Sequence, residues 1–327
     1  MSMECDVISI SGGKDSTAMA LLALERGVKA PHFIFADTGH EHAETYKYLD
    51  YLETALGVKI HRLKADFSRQ IAKKRQYIAE HWAGDGVPQS RIDRALEVLH
   101  PTGIPMLDLC MWKGRFASTR RRFCSEQLKH FPLEAFTDAL LFGFDEVRSW
   151  QGVRRDESAQ RFNLIESEDH PTKQGLVWYR PILDWTADDC FAMHKKHGVE
   201  PNPLYMQGMG RVGCMPCIHA TKEETFQIAL RFPEELERLA EWERIVGDAA
   251  KRGVSTFFDA RVTNRFLGLP KITAENVGMV SATTHGVGTY VEWAKTKYGG
   301  READLVKIIQ LESTDAPMCK SMYGLCE

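Results

Sequence analysis

The alternation of short apolar runs with helical stretches in the first 65 residues constrains the fold most strongly. The apolar run at 5–10 is followed by two glycines and then by apolar residues at helical spacing, closing at Gly27. The pattern recurs, with a strand predicted at 32–36, a helix ending at Gly57 and a third strand in VKIHRLKA. A β-α-β-α-β order is typical of a doubly wound parallel sheet, whose ligands bind at the carboxyl ends of the strands. We therefore predict an α/β, Rossmann-like fold.

The segment that joins the first strand to the first helix has the composition of an anion-binding loop. Its residues are Ser11, Gly12, Gly13, Lys14, Asp15 and Ser16. A helix N-terminus offers backbone N–H groups and the positive end of the helix dipole, while the glycines allow the backbone to approach a ligand closely. Lys14 can neutralise phosphate charge, and Ser11 and Ser16 can donate hydroxyl hydrogen bonds. The alternative is an ordinary tight turn; the GxxxxGK[ST] spacing of the Walker type is absent.

The bulk composition is that of a globular protein without a general affinity for nucleic acid. The 327 residues are 43% hydrophobic, enough for one large domain or two smaller ones. With 42 basic and 45 acidic side chains, the formal net charge is -3, so no global positive field is expected. The sequence has no signal-peptide pattern and no long apolar run, which predicts a cytoplasmic protein that does not bind membranes. In that compartment its eight cysteines favour metal or redox chemistry over disulfides.

The rest of the chain is predicted to complete this domain and add a second region. Residues 67–131 are basic, and we predict that they form an irregular insertion over the carboxyl ends of the strands. The run ALLFGF at 139–144 predicts a short buried strand. Thr186 followed by Asp188 and Asp189 is typical of a helix start. We place a nucleotide-binding domain at 1–220, including the insertion, and a mainly helical C-terminal region with a cysteine tail at 221–327.

The hexapeptide SGGKDS is similar to the PP-loop of the N-type ATP pyrophosphatases. Members of that superfamily split ATP between the α- and β-phosphates, adenylylate a substrate oxygen and release pyrophosphate. The resemblance implies an adenine nucleotide alpha hydrolase type of sheet, ATP with Mg²⁺ as the bound nucleotide, and pyrophosphate held by the loop. It makes Lys14 and Asp15 candidate catalytic residues.

Further stretches resemble the phosphoadenylyl-sulfate (PAPS) reductase family. They are FADTGHEHAETYKYL, GVRRDESAQR, RPILDWTADD with the following NPLY, and RVGCMPC. True PAPS reductases have a degenerate opening loop without the lysine, because they bind a nucleotide that is already activated. This chain retains the lysine and is most similar in pattern to the ATP pyrophosphatase of DNA phosphorothioation systems and to phage proteins of the family, which also share motifs like LDLCMWKGRF and RRFCSEQLK.

Three residues outside the loop are candidate nucleotide ligands. Asp37 follows the second strand and is suited to accept hydrogen bonds from ribose hydroxyls or the adenine amino group; its alternative role is a helix cap. Arg154 and Arg155 offer guanidinium forks for phosphate or an adenylate, against the alternative of a solvated charge run. Histidines such as His40 and His42 are more often surface or packing residues, so we do not include them among the catalytic candidates.

The cysteines suggest a metal centre. Cys214 and Cys217 place two thiolates within reach of one metal, and Cys110 and Cys124 bracket the basic insertion. The resemblance implies a [4Fe–4S] cluster on these four residues. Zinc is the alternative metal, since four thiolates can bind either zinc or an iron–sulfur cluster. A third interpretation is that the four thiols are unrelated to one another. Cys190 could replace Cys110, although its place in an amphipathic helix favours a buried small hydrophobe.

The C-terminal tail carries Cys319 and Cys326. Its YGLCE ending is loosely similar to the mobile tail of the sulfonucleotide reductases, in which a cysteine reacts. The resemblance makes Cys326 a candidate catalytic thiol, a role that requires a lowered pKa.

Three functions follow from these features. The first is an ATP pyrophosphatase that adenylylates a substrate for sulfur insertion, is iron–sulfur dependent, and takes sulfur from a donor such as a cysteine desulfurase. The second is a PAPS or adenylyl-sulfate reductase that takes electrons from thioredoxin. The third is a non-catalytic nucleic-acid-binding subunit that uses the arginines at 115 and 120–122. Nucleic acid is also a candidate acceptor under the first function, and we expect a homo-oligomer.

Overall fold

The computed structural model describes residues 3–258, 262, 266, 268, 286–297 and 301–302. The described chain divides into two compact units. The first unit comprises residues 3–65 and 126–215, and the second comprises residues 66–125 and the described residues from 216 onward. The basic insertion, which the sequence prediction grouped with the N-terminal domain, thus falls mostly into one unit with the C-terminal segment.

The first unit is built on a six-stranded sheet with the order β3-β2-β1-β4-β6-β5. The strands are β1 (Glu4–Ser9), β2 (His32–Asp37), β3 (Ile60–Lys64), β4 (Glu146–Trp150), β5 (Ser167–Asp169) and β6 (Leu176–Tyr179). All pairings are parallel except that of β5 with β6. The predicted doubly wound α/β sheet is confirmed. The strand order reverses between β1 and β4: β2 and β3 follow on one side of β1, and the later strands are added on the other side. Ligands bind at such switch points in these sheets.

Helices cover both faces of this sheet, as the side-chain alternation of β1 requires. Ile8 and Ile10 belong to one apolar cluster, together with buried residues of the first two helices, while Cys5 and Val7 belong to another. The helices of this unit are α1 (Lys14–Glu25), α2 (Ala43–Leu56), α7 (Phe131–Leu141), α8 (Ala187–His197) and α9 (Pro203–Met206), with a π-helical turn at Glu126–His130.

A buried carboxylate ties together the two strands at the switch point. Asp6 of β1 accepts two hydrogen bonds from the Arg148 guanidinium, both of 2.9 Å, and one of 2.7 Å from the Trp150 indole. Both donors lie on β4, so this bidentate pair aligns β4 with β1 where the site is built.

The second unit is mainly helical. Its helices are α3 (Ser68–His81), α4 (Gln89–Val98), α5 (Pro105–Lys113), α6 (Phe123–Ser125), α10 (Lys222–Arg231), α11 (Pro233–Asp248) and α12 (Val287–Ala294), and its two short strands are β7 (Thr296–Lys297) and β8 (Arg301–Glu302). α11 packs against α4, α5, α10 and α12. The buried Glu243 of α11 accepts the N–H groups of Phe257 at 2.7 Å and Val287 at 2.8 Å, which joins α12 to the same core.

Two sequence predictions of local structure are wrong. Residues 67–131 are largely helical rather than irregular. In α3, for example, the buried positions Ile71 and Ile78 lie among many charged residues, so the sequence gives only a weak helix signal. The strand predicted at 139–144 is the end of α7 and the turn after it; β4 begins at Glu146. An apolar run this short does not distinguish a strand from a helix end.

The predicted helix start at Thr186 is present. Its hydroxyl accepts the Asp189 N–H at 3.2 Å, and the Asp189 carboxylate accepts the Thr186 N–H at 2.7 Å, which forms a capping box. Over the described residues, no helix combines the length and apolar character needed to cross a membrane.

Candidate nucleotide-binding site

The loop 11–16 is folded by its own hydroxyl groups and by one tyrosine. The Ser16 hydroxyl accepts the Ser11 N–H at 3.0 Å, and the Ser11 hydroxyl accepts the Gly13 N–H at 3.4 Å. α1 begins at Lys14, so its first-turn N–H groups have no intrahelical acceptors. The Lys14 N–H donates to the Tyr205 hydroxyl at 3.0 Å. The arrangement presents a helix N-terminus at the carboxyl end of β1, which favours an anion.

The glycines of the loop are required by its packing. Gly12 has a φ of +75°, and a Cβ there would lie 2.9 Å from the Thr45 side chain. A Cβ on Gly13 would lie 3.3 Å from the Tyr205 hydroxyl. Larger residues would therefore push the loop away from α2 and α9.

Asp15 connects the charged groups of the site. Its Oδ2 atom lies 3.0 Å from the Lys14 ammonium, and its Oδ1 atom lies 2.5 Å from the Arg154 Nε. The Cys190 thiol also donates to Oδ1, at 3.4 Å. Arg154 pairs in addition with Asp156 at 2.6 Å. The first loop and the arginine-containing segment after β4 thus meet at one carboxylate, which brings Lys14, Asp15 and Arg154 together.

Burial and charge shift the pKa of several groups around Asp15. Burial acts to lower the pKa of the Arg154 guanidinium, but the charge of Asp15 opposes it and the net pKa is raised. The pKa of Arg161, which pairs with Glu157, is lowered by burial. Burial, followed by the charge of Asp15, raises the pKa of the Cys190 thiol, which keeps it protonated and a hydrogen-bond donor.

Three residues of the segment 194–205 support the loop, and sequence reasoning did not assign them roles. The Asn202 amide donates to the Gly12 carbonyl at 3.1 Å, and Tyr205 accepts the Lys14 N–H. The buried His194 places Nε2 at 3.1 Å from the Lys14 carbonyl. The NPLY motif, which contains Asn202 and Tyr205, is a motif of the family. Its sequence alone does not indicate that these two side chains bind backbone groups of the loop.

A cavity of about 220 Å³ adjoins the loop. Its lining includes Ser11 and Ser16 of the loop, Gly152, and two cationic residues, Lys129 and Arg211. Lys14 and Asp15 are not part of this lining. Sequence reasoning missed Lys129 and Arg211, although Arg211 begins the RVGCMPC motif.

Gly152 allows the segment after β4 to approach the loop. A Cβ there would lie 3.3 Å from the Ser16 Cα and 3.4 Å from its backbone nitrogen. Both atoms belong to the first turn of α1, so a side chain could be accommodated only by moving the backbone of this turn.

The carboxyl end of β2 carries a network of two buried carboxylates. Asp37 accepts the Gly39 N–H at 2.9 Å and lies 3.3 Å from the Lys64 ammonium. The Tyr46 hydroxyl lies 2.8 Å from Asp37 Oδ1 and 3.2 Å from Oε2 of Glu41. Burial, with the charges of both carboxylates, raises the pKa of Tyr46. Glu41, which sequence reasoning missed, also lines the cavity.

Arg155 and the two histidines make contacts within the protein. Arg155 donates to the carbonyls of Phe162 at 3.2 Å and Leu164 at 2.7 Å and pairs with Asp184, so its guanidinium holds the segment after β4. His40 and His42 are buried, and His42 Nδ1 accepts the Glu44 N–H at 3.1 Å to cap α2. Asp37 therefore does not cap that helix.

The family model of the phosphoadenosine phosphosulfate reductase domain matches residues 6–220, well over half of the chain. The chain belongs to this family. A 37.8 kDa protein from the gpa 5′ region of Escherichia phage 186 is 47% identical over 98% of this chain and 96% of its own length. An adenosine 5′-phosphosulfate reductase of Streptomyces coelicolor is 28% identical over 67% of this chain and 74% of its own. A nin region protein of Escherichia phage lambda is 25% identical over 70% of each.

In this PAPS reductase domain protein, Cys214 lies beside the segment that follows β2. Its Sγ atom is 3.5 Å from the Thr38 hydroxyl and 3.6 Å from Oε1 of Glu41. A backbone bridge pairs Cys214 with Glu41, and the Met215 N–H donates to the His40 carbonyl at 2.9 Å. Cys214 and Met215 of the GCMPC motif are thus held against the segment that follows β2.

The other three predicted ligands, Cys110, Cys124 and Cys217, lie in the second unit of the protein. Cys110 of α5 is fully buried, and burial, with a smaller effect of Cys124, raises its pKa. The Ala117 N–H donates to its sulfur, a bond that also suits a cysteine ligand. Among the described residues, however, no group of three or more Cys, His, Asp or Glu side chains is arranged to hold a metal ion. The cluster assignment stays a prediction, and Cys319 and Cys326 lie outside the described residues.

Proposed function

We propose that this protein binds ATP at residues 11–16 and splits it between the α- and β-phosphates, activating a substrate oxygen for replacement by sulfur. The observation that carries the proposal is the contact set of Asp15, which joins Lys14 and Arg154 at the N-terminus of α1. The sheet switch point, the helix N-terminus and the two loop serines that line the adjoining cavity support it.

In the proposed reaction, the substrate oxygen attacks the α-phosphorus. The bond between this phosphorus and the α–β bridging oxygen breaks, and its electron pair leaves with pyrophosphate. Lys14 and the first-turn N–H groups of α1 would stabilise the charge that develops on pyrophosphate. Mg²⁺ bound with ATP would supply further positive charge for the same purpose. Arg154 would keep the Asp15 carboxylate neutralised while Lys14 turns from Asp15 to a phosphate.

Equilibrium binding of Mg-ATP and release of pyrophosphate test this function. The reactions contain sulfide and one acceptor at a time, namely DNA, tRNA or a small carbonyl compound. We expect Lys14→Met to lower the rate of pyrophosphate release about a hundredfold or more. Lys47→Met is the control, because Lys47 is exposed on α2 and pairs there with Glu44. The proposal is wrong if the wild-type protein does not bind ATP, or if Lys14→Met releases pyrophosphate at the wild-type rate.

The second candidate function is reduction of a sulfonucleotide with electrons from thioredoxin. It is favoured by membership of the PAPS reductase domain family and by the similarity to the adenosine 5′-phosphosulfate reductase of Streptomyces coelicolor. Sulfite release from PAPS or adenylyl sulfate in the presence of reduced thioredoxin would decide for it. A catalytic role of Cys326 predicts that Cys326→Ser abolishes this release.

Iron, acid-labile sulfide and zinc content test the proposed cofactor. A [4Fe–4S] cluster requires about four iron atoms per chain after anaerobic purification, whereas a zinc site requires one zinc atom. We expect Cys214→Ser and Cys217→Ser to lose the bound metal, and Cys5→Ser, which replaces a buried cysteine of β1, to retain it. Equal metal content in all variants would contradict the assignment.

A further inference from the structure

The second unit contains a cleft of about 1320 Å³, formed by three segments of that unit. One wall is a single face of α3, on which Gln70, Lys74 and Tyr77 follow at helical spacing. The second wall is residues 112–116 at the end of α5, and the third is the segment 250–256 after α11. The volume exceeds the roughly 300–1,000 Å³ that is typical of small-molecule sites.

The charge of this cleft is of one sign. Its lining contains six cationic side chains, and none of its described lining residues is acidic. The six are Lys73, Lys74, Lys113, Arg115, Lys251 and Arg252. Since the formal net charge of the whole chain is -3, this concentration is a local feature rather than a consequence of composition. Within the described part of the chain, Lys251 pairs with Asp85 at 3.0 Å, while Lys73 and Arg252 form no ion pair.

Aromatic rings lie among these cations. Tyr77 is 51% exposed and stacks on His81 with ring centroids 4.6 Å apart. Trp112 stacks on Phe67 with ring centroids 5.7 Å apart. The ammonium of the exposed Lys113 lies 3.7 Å from the centre of the Trp112 ring. Rings held in this way lose little conformational freedom when a further flat group stacks on them.

We propose that this cleft binds a single-stranded segment of nucleic acid. The cations would contact successive phosphates, while bases stack on Tyr77 and, after Lys113 swings to a phosphate, on Trp112. A positively charged groove that contains aromatic rings is the combination by which proteins bind single strands without reading their sequence. A duplex keeps its bases stacked inside and would use only the cations. The inference is independent of the proposed ATP chemistry.

Fluorescence anisotropy with a labelled 12-nucleotide single-stranded DNA, the full-length protein and no ATP tests the proposal. We expect saturable binding whose logarithmic affinity falls with logarithmic salt concentration at a slope of about -3, for four neutralised phosphates. Lys73→Glu should weaken binding at least fivefold and lower the size of that slope by about 0.7–1. Arg231→Glu, an exposed charge reversal on α10 outside the cleft, should leave both unchanged.

The aromatic contribution separates a single strand from other polyanions. Tyr77→Ala should weaken binding about fivefold or more, because stacking of a base is lost. Phe142→Ala is the control, because it also removes an exposed aromatic ring, at the end of α7 and outside the cleft, and it should not weaken binding. The proposal is overturned if the wild-type protein does not bind the oligonucleotide at 50 mM salt, or if Lys73→Glu binds like wild type. It is also overturned if duplex DNA or polyglutamate binds equally well and Tyr77→Ala has no effect. Because ATP is absent, failure here leaves the pyrophosphatase proposal standing.

Discussion

Asp15 and Arg154 form a buried ion pair, 2.5 Å from Oδ1 to Nε, between the first loop and the segment after β4. Removal of the carboxylate would leave the guanidinium, only 5% exposed, with Asp156 as its acidic partner. We expect Asp15→Asn to lower the free energy of unfolding by about 3 kcal/mol, since a buried charge loses its partner. Urea denaturation measures this.

Asp156→Asn is the matched control for this pair, because Asp156 contacts the same guanidinium but is 47% exposed. We expect it to cost less than about 1 kcal/mol. Equal losses in the two variants would show that Asp15 does not have the role assigned to it.

Substitution of Gly152 should impair nucleotide binding through the backbone alone. In Gly152→Ala, the new methyl group lies 3.3 Å from the Ser16 Cα and displaces the first turn of α1. We expect the dissociation constant for Mg-ATP to rise about tenfold, measured by calorimetry. Gly143→Ala is the control, because the nearest atom to its new methyl group is the Leu140 carbonyl oxygen at 3.8 Å. Similar affinities in both variants would contradict the prediction.

The Tyr205 hydroxyl should matter to both stability and the site. Tyr205→Phe leaves the Lys14 N–H without its 3.0 Å acceptor, so we expect a loss of about 1–3 kcal/mol and weaker ATP binding. Tyr48→Phe loses a comparable 2.7 Å bond, to the Glu200 carbonyl, and should affect stability without affecting ATP. Thermal melts with and without Mg-ATP separate the two effects.

Strand binding in the cleft should depend on pH through Lys74. Burial lowers the pKa of this ammonium to about 8, and its Nζ donates to the Met111 carbonyl at 2.6 Å. The other charged groups that line the cleft are Lys73, Lys113, Arg115, Lys251 and Arg252. As pH rises from 7 to 9, Lys74 loses its charge, so the salt slope for oligonucleotide binding should shrink by about 0.7. Lys74→Arg should keep its slope; a wild-type slope that does not change would contradict the prediction.

The lowered pKa of Lys74 also predicts how the stability of the protein changes with pH. Between pH 8 and the ordinary value of 10.5, the unfolded chain holds the Lys74 proton that the folded chain has released. The free energy of unfolding therefore rises with pH through this range for wild type relative to Lys74→Met. Denaturation at pH 7.5 and pH 10 measures the difference.

The sheet and the loop could be predicted because their signals are local. The strand, the two glycines and the helix that contain residues 5–27 are adjacent in sequence, and Lys14 and Asp15 are recognised by type and spacing. The supports of the loop could not be predicted in this way. Nothing in the residues around Tyr205 indicates that its hydroxyl binds a backbone N–H 191 positions earlier.

The helices of the insertion were missed for a related reason. α3 has Ile71 and Ile78 as its buried residues, and the rest of its sequence is mostly polar or charged. Such a helix is stable because it packs on α4 and α5, and α5 packs on α11, which lies more than a hundred residues later in the chain. The local apolar pattern indicates which positions are buried, but it does not indicate that the distant helix α11 completes the core.

The hydrogen bonds from His194, Asn202 and Tyr205 to the first loop also set an order of events during synthesis. A ribosome that has translated β1 and α1 has still to make some 180 residues before these partners exist. Contacts of such long sequence separation form late, since closure of the intervening chain costs entropy. The emerging protein can assemble β1–β3 early, but the loop 11–16 gains these supports only after α8 and α9 have left the ribosome. An incomplete chain therefore carries the loop sequence without the contacts that hold the loop in place.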